Sequence, residues 1–265
     1  MKKISQTIQL ENLFQPIQLE KDICYHVNSG QLHVWLEQGV NEIRLTHKHQ
    51  DAAAVTSGLP VDADWTRWAF DNGQNIITIK PVFPDRAIVI TPESSFWLLK
   101  STEATIYVRI PVWLRFILGG EKGQTLTELP TRVLSNTWFG SFSEGELCLW
   151  HLSDVSRTID RSPEKMHLVI CPLHLINQSE EDLLVDRICL RVNRLKMYSG
   201  GGNLWSDTTT IIYKGKNEKG EITMSGKAPD NDLEYTLLSA PRYRARKSFV
   251  AKSFQTLKEL PGLGF

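Results

Sequence analysis

Asn75-Ile76-Ile77-Thr78-Ile79-Lys80-Pro81-Val82 alternates with a period of two. Ile76, Thr78 and Lys80 fall on one side of an extended chain, and Ile77, Ile79 and Pro81 on the other, because successive strand side chains point to opposite faces. The stretch therefore reads as a strand with one face hidden from water. Leu32-His33-Val34-Trp35-Leu36 reads the same way. It follows Ile23–Val27 across Asn28-Ser29-Gly30, whose residue types suit a hairpin turn.

Working outward, similar short runs recur at Arg86–Thr91, Thr105–Ile110, Val112–Leu118, Thr137–Phe142, Glu146–Trp150, Thr208–Tyr213 and Glu221–Met224. Runs of β-branched and aromatic residues bounded by turn residues predict a mainly β fold of antiparallel β-sandwich architecture, in two sandwich-like halves. His167–Cys171 ends at Pro172, which predicts an edge strand or a bulge. Leu183–Val192 reads as one long strand, and the parity change beyond it predicts a bulge near Asn193. Ala52–Val55 has the composition of a single helical turn. From about residue 242 to 260, Phe249, Val250, Phe254, Leu257 and Leu260 recur at helical spacing between Pro241 and Pro261-Gly262. That spacing predicts a C-terminal amphipathic helix. The loop Gly119–Gln124 divides the chain into an N-terminal β domain, 1–120, and a C-terminal β-sandwich domain with the terminal helix, 121–265. The same loop also reads as a long hairpin tip within one large β domain.

The 30 basic and 30 acidic residues cancel, so no net field steers the chain toward nucleic acid or an anionic membrane. Cys24, Cys148, Cys171 and Cys189 form no C-x-x-C pair and sit in apolar runs. They read as buried thiols suited to a reducing compartment. The N-terminus lacks the apolar core of a secretory signal. The most apolar stretch, Ile110–Leu118, is too short to span a bilayer and carries Arg115. A cytoplasmic location is expected.

Three constellations carry candidate chemistry. His47 and His49 are two apart, so in a strand both imidazoles share a face, and Asp51 continues it. With His33 as a further candidate, they suggest a divalent metal held in a cupin-like enzyme. Trp65 and Trp68 stand in the polar setting 62–71 and are expected to be exposed and to stack on a ligand. Arg242, Arg244, Arg246 and Lys247 give the C-terminal segment a basic face for an acidic protein partner, nucleic-acid phosphates or a membrane surface. His151, Ser153 and Asp154 are close in sequence, but strand neighbours alternate faces and no G-x-S-x-G elbow occurs, so no catalytic residue is nominated. The favoured reading is a non-enzymatic β-sandwich module that binds a protein or a small-molecule ligand.

Ile79-Lys80-Pro81-Val82, Thr105–Val112, Trp138-Phe139-Gly140-Ser141, Gly145–Trp150, Leu173–Asn177 and the run Val185–Tyr198 follow one another in a characteristic order. In these blocks the stretch from about 75 to 220 resembles the uncharacterised prokaryotic family known as domain of unknown function 432. The resemblance implies a β-rich fold and a prokaryotic, intracellular origin. It implies no reaction, cofactor or catalytic residue.

Overall fold

The computed structural model describes residues 4–8, 13–50, 59–70, 74–120, 122–159, 167–216, 218–230, 233–243 and 248–255. The expected turn at Ala52–Val55 lies outside them. In chain order the strands are β1 (Ile4–Ile8), β2 (Ile17–Gln18), β3 (Ile23–Ser29), β4 (Leu32–Gln38), β5 (Glu42–His49), β6 (Thr66–Ala69), β7 (Ile76–Val82) and β8 (Ile88–Pro92). Next come β9 (Phe96–Leu98), β10 (Glu103–Pro111), β11 (Trp113–Leu118), β12 (Gln124–Pro130), β13 (Asn136–Phe139), β14 (Glu146–Ser153), β15 (Val155–Ser156) and β16 (Leu168–Asn177). The remainder are β17 (Leu183–Val185), β18 (Ile188–Leu190), β19 (Met197–Gly200), β20 (Asn203–Ser206), β21 (Thr209–Tyr213), β22 (Gly220–Met224), β23 (Thr236–Ser239) and β24 (Ser248–Ala251). They fall into two compact units, one of residues 1–82 and 111–133, the other of 83–110 and 134–265. The loop 119–124 is the tip of the β11–β12 hairpin inside the first unit.

The first unit holds a five-stranded sheet, β1-β3-β4-β5-β6, and a four-stranded sheet, β12-β11-β7-β2. Apolar cross-strand pairs are buried on one face of the larger sheet: Val27 opposes Val34 and Leu36 opposes Leu45. Hydrogen bonds join the two sheets of this unit. Tyr25 Oη donates to Gln18 O (3.2 Å), and the Gln31 amide donates to Thr131 O (2.9 Å) just beyond β12. Strand β7 lies between β11 and β2, where Ile79 opposes Phe116 and Ile77 opposes Leu118. Its alternation is incomplete. Thr78 is buried along with Ile77 and Ile79, while Ile76 is exposed.

The second unit holds a nine-stranded sheet built on β23-β19-β20-β16-β21-β22-β24, with β10 branching from β16 and β15 pairing with β10, a four-stranded sheet, β13-β14-β8-β18, and the pair β17-β9. Pairing in both units is mixed rather than purely antiparallel. β1 runs parallel to β3, β14 to β8, and β16 to both β20 and β21, because these partners are joined by long connections rather than hairpins. The Gly200–Gly202 segment, by contrast, makes a hairpin. Gly201 and Gly202 take φ of 57° and 74° between β19 and β20, values at which only glycine is free of Cβ strain.

Three expectations need correction. Pro172 sits inside a ten-residue strand, not at its end. The strand changes partner there: Val169 and Ile170 pair with β20 and Leu173 onward with β21, so the missing proline N–H falls at the break in the ladder. The run 183–192 divides into β17 and β18 and closes in a 3-10 turn, Val192–Arg194, where a bulge was expected. The C-terminal helix is absent among the described residues. Ser248–Ala251 is β24, with Phe249 opposite Ile222 and Val250 opposite Glu221. The outer edge of β22 offers a row of unpaired backbone groups, and satisfying them outweighs a helical periodicity carried by only a few apolar residues. Residues 256–265 and 244–247 lie outside the described residues.

The two isoleucines at the start and middle of β7 separate burial from strand propensity. Ile79→Ala should lower the urea-denaturation free energy by about 2–5 kcal/mol through the cavity it leaves, whereas Ile76→Ala, on the exposed position, should cost less than about 1 kcal/mol.

Candidate functional site

A cleft of ≈ 640 Å³ opens in the second unit, within the size range of small-molecule sites. Its walls come from the β13–β14 hairpin, the 3-10 turn after β18, the β21–β22 hairpin and β24. The β13–β14 turn is set by glycine. Gly140 has φ of 107°, and a Cβ there would meet Gly145 Cα at 2.8 Å. A Cβ on Gly145 would collide with the Trp138 indole, whose Nε1 donates to Ser141 O (2.9 Å). Gln255, beyond β24, grips this turn from both sides: its Oε1 accepts from Gly140 N and its Nε2 donates to Gly140 O, each at 3.3 Å. Buried Arg187 reinforces the grip through Gln255 Oε1 (3.2 Å) and Trp138 O (3.3 Å), with its guanidinium over the Phe139 ring.

Charge in the cleft is lopsided. Arg191, Arg194, Lys216, Lys219 and Lys252 face three carboxylates, Glu144, Glu146 and Glu218. Two of the carboxylates are already paired: Glu146 Oε1 with Arg191 at 2.5 Å, and Glu144 with Lys219 at 3.6 Å. Arg191 and Arg194 stack on Phe249 at 5.7 and 4.7 Å from its ring centroid. Each guanidinium carbon is within cation–π range of the ring. Arg191 Nη2 also donates to Lys252 O (3.1 Å), while its buried Nη1 has no partner among the described residues.

Beneath Glu146 lie the thiols of Cys148 and Cys189, packed with Ala87, Val89 and Phe139. Contact with the Cys148 thiol and burial both push the Cys189 thiol well above its usual range. All four cysteines are outside disulfides and buried, and burial raises Cys171 to about 12.

The residues singled out from sequence lie elsewhere. His47 and His49 do share a face of β5, with rings in edge contact at 5.9 Å. His49 Nε2 is 2.7 Å from Pro130 O, and Asp51 lies outside the described residues. His33 opposes Lys48, whereas His47 and His49 oppose Val34 and Leu32, so His33 points to the opposite face. There it forms a different cluster. His26 Nε2 is 3.1 Å from His33 Nδ1, and both rings stack with Trp35 inside the first unit. Trp65 and Trp68 are half-buried, not exposed; Trp68 sits on β6 opposite Ile43. The exposed indoles are Trp97, Trp138 and Trp150. Arg242 is occupied in the fold, donating from Nε to Phe83 O at 2.6 Å, and Arg244, Arg246 and Lys247 lie outside the described residues. His151 and Ser153 both turn to Arg109 O, at 2.9 and 3.3 Å. Arg191 and Arg194 escaped the sequence reading because they punctuate an apolar run, and Lys216 and Lys219 because they read only as turn residues.

A family model described as "Protein of unknown function (DUF432)" matches residues 13–258, and the chain belongs to that family. No curated protein and no solved structure matches it.

The histidine cluster carries a pH signature. Burial, and then a second imidazole (His33 for His26, His49 for His33), lowers the pKa of both rings from the ordinary 6.5, and His47, outside the cluster, is lowered by burial and then by His49. The unfolded chain therefore takes up these protons first. Stability should be full above about pH 6.5 and fall as the pH drops toward the depressed folded values. Urea midpoints measured at about pH 7.5 and 5.5 should decrease, and a His26→Gln/His33→Gln variant should show a flatter dependence over the same window.

Proposed function

We propose that this member of a family without an assigned reaction is a non-enzymatic β-sandwich binding module, and that the cleft of its second unit takes a small organic anion, a phosphate or polycarboxylate. The excess of cationic over anionic side chains around the cleft, five against three, carries this reading. The guanidinium fork of Arg194, over the Phe249 ring, matches the planar geometry of carboxylate and phosphate oxygens.

This reading also absorbs part of the basic C-terminal segment. Lys252 reaches the cleft from the end of β24. Face-to-face packing of the sheets within each unit would give the rigid frame such a site needs. The side chains of His151 and Ser153, both committed to Arg109 O, favour binding over nucleophilic chemistry. Four buried thiols outside disulfides fit a reducing, cytoplasmic setting. Among the described residues no helix is long and apolar enough to cross a membrane.

Thermal unfolding of the full chain with inorganic pyrophosphate or citrate tests the reading and separates the two anion classes. At about 100 times the dissociation constant, the bound anion should add about 2.7 kcal/mol and raise Tm by several degrees. Arg194→Ala should remove most of the shift, and raising NaCl from about 50 to 200 mM should weaken it. Neither anion shifting Tm at millimolar concentration, or an equal shift in Arg194→Ala, would count decisively against the cleft.

A further inference from the structure

Two thiols and a carboxylate converge where the cleft meets the four-stranded sheet. Cys148 is on β14 and Cys189 on β18, the two strands that flank β8. Strands two apart in a sheet are separated by about 9.5 Å, beyond the roughly 7 Å between Cα atoms that a disulfide can bridge. Yet the two sulfurs turn toward each other over β8, and with a Glu146 carboxylate oxygen all three donor atoms lie within 4.8 Å of one another. Cys189 Sγ is 3.9 Å from Glu146 Oε1. These are atoms that cannot bond covalently but are spaced to share a third atom.

We infer that Cys148, Cys189 and Glu146 form a binding site for a thiophilic divalent cation of the zinc type. Bonds of about 2.3 Å to sulfur and 2.0–2.2 Å to oxygen put tetrahedral ligand atoms about 3.5–3.8 Å apart, so closing this trio on an ion takes small side-chain shifts. The sulfurs are fully buried, at 0% and 1% exposure, while the Glu146 side chain is 43% exposed and lines the cleft. Ions therefore enter from the cleft, past the carboxylate, and the fourth position faces that side. Charge also balances. Two thiolates and a carboxylate around a divalent ion leave one negative charge, and Arg191, 2.5 Å from Glu146, supplies the counter-charge. The donor set of two thiolates and one carboxylate favours zinc or cobalt over magnesium or calcium, which prefer all-oxygen shells. The site shares Glu146 and Arg191 with the cleft wall, but Arg194, whose substitution tests the anion reading, is not one of its ligands.

Cobalt titration of the full chain, stripped of metal and kept reduced without oxygen, tests the site. Co²⁺ should bind one per chain and develop the thiolate-to-metal charge-transfer band in the near ultraviolet, and Zn²⁺ should bleach it. Cys148→Ala and Cys189→Ala should each abolish the tetrahedral signal, Glu146→Gln should weaken binding roughly tenfold or more, and Cys24→Ala/Cys171→Ala should keep the wild-type spectrum. A wild-type chain without the band overturns the assignment, and needs no variant to fold. So does a band that survives in Cys148→Ala/Cys189→Ala. Arg194→Ala should bind Co²⁺ like the wild type, which separates a failure here from a failure of the anion site.

Discussion

A strand cannot satisfy its own backbone. Its N–H and C=O groups point sideways and must be met by another segment, and this demand shapes the whole chain. It is clearest at the last described residues. β24 closes the open edge of β22 in the nine-stranded sheet. A few residues on, Ser253 O accepts from Cys189 N (2.8 Å), and Phe254 bridges to Ile188 in the four-stranded sheet. One short extended segment thus stitches two sheets of the second unit. A helix would have satisfied itself internally and left both edges open.

The cleft is a by-product of that stitching. Gln255 follows directly and clamps the Gly140 turn, while Phe249 on β24 gives the surface on which Arg191 and Arg194 lie. Two arginines four positions apart in the chain serve different ends. Arg187 is buried and spends its donors on Gln255, Thr137 and Trp138, holding the turn. Arg191 is tied to Glu146 and Lys252 at the cleft wall, where its charge reaches both the cleft and the thiols beneath.

Much of this was legible as local pattern. The strands around Ile77 and Ile79, the hairpins at Gly30 and at Gly201-Gly202, and the burial of all four cysteines follow from alternation, turn chemistry and apolar context. The cleft and the thiol pair were not. His47 and His49 stood out because their spacing is local, whereas groups that converge from separate strands leave no such mark in the sequence. Cys148 and Cys189 are 41 positions apart in sequence and meet only because β14 and β18 both pair with β8. His33, one strand from His47, points away because register decides the face.

The amino-acid sequence alone determined that this is a β protein with buried thiols and with turns where glycine permits them, since those properties depend on residues within a few positions of each other. Tertiary structure decided strand partners, the mixed direction of the sheets, the extended state of residues 248–251 and the convergence of cations and thiols around one cleft. The reason is physical: period-two alternation states which side of a strand seeks apolar company, but each edge accepts any strand of suitable length, and only the folded chain settles which one it receives.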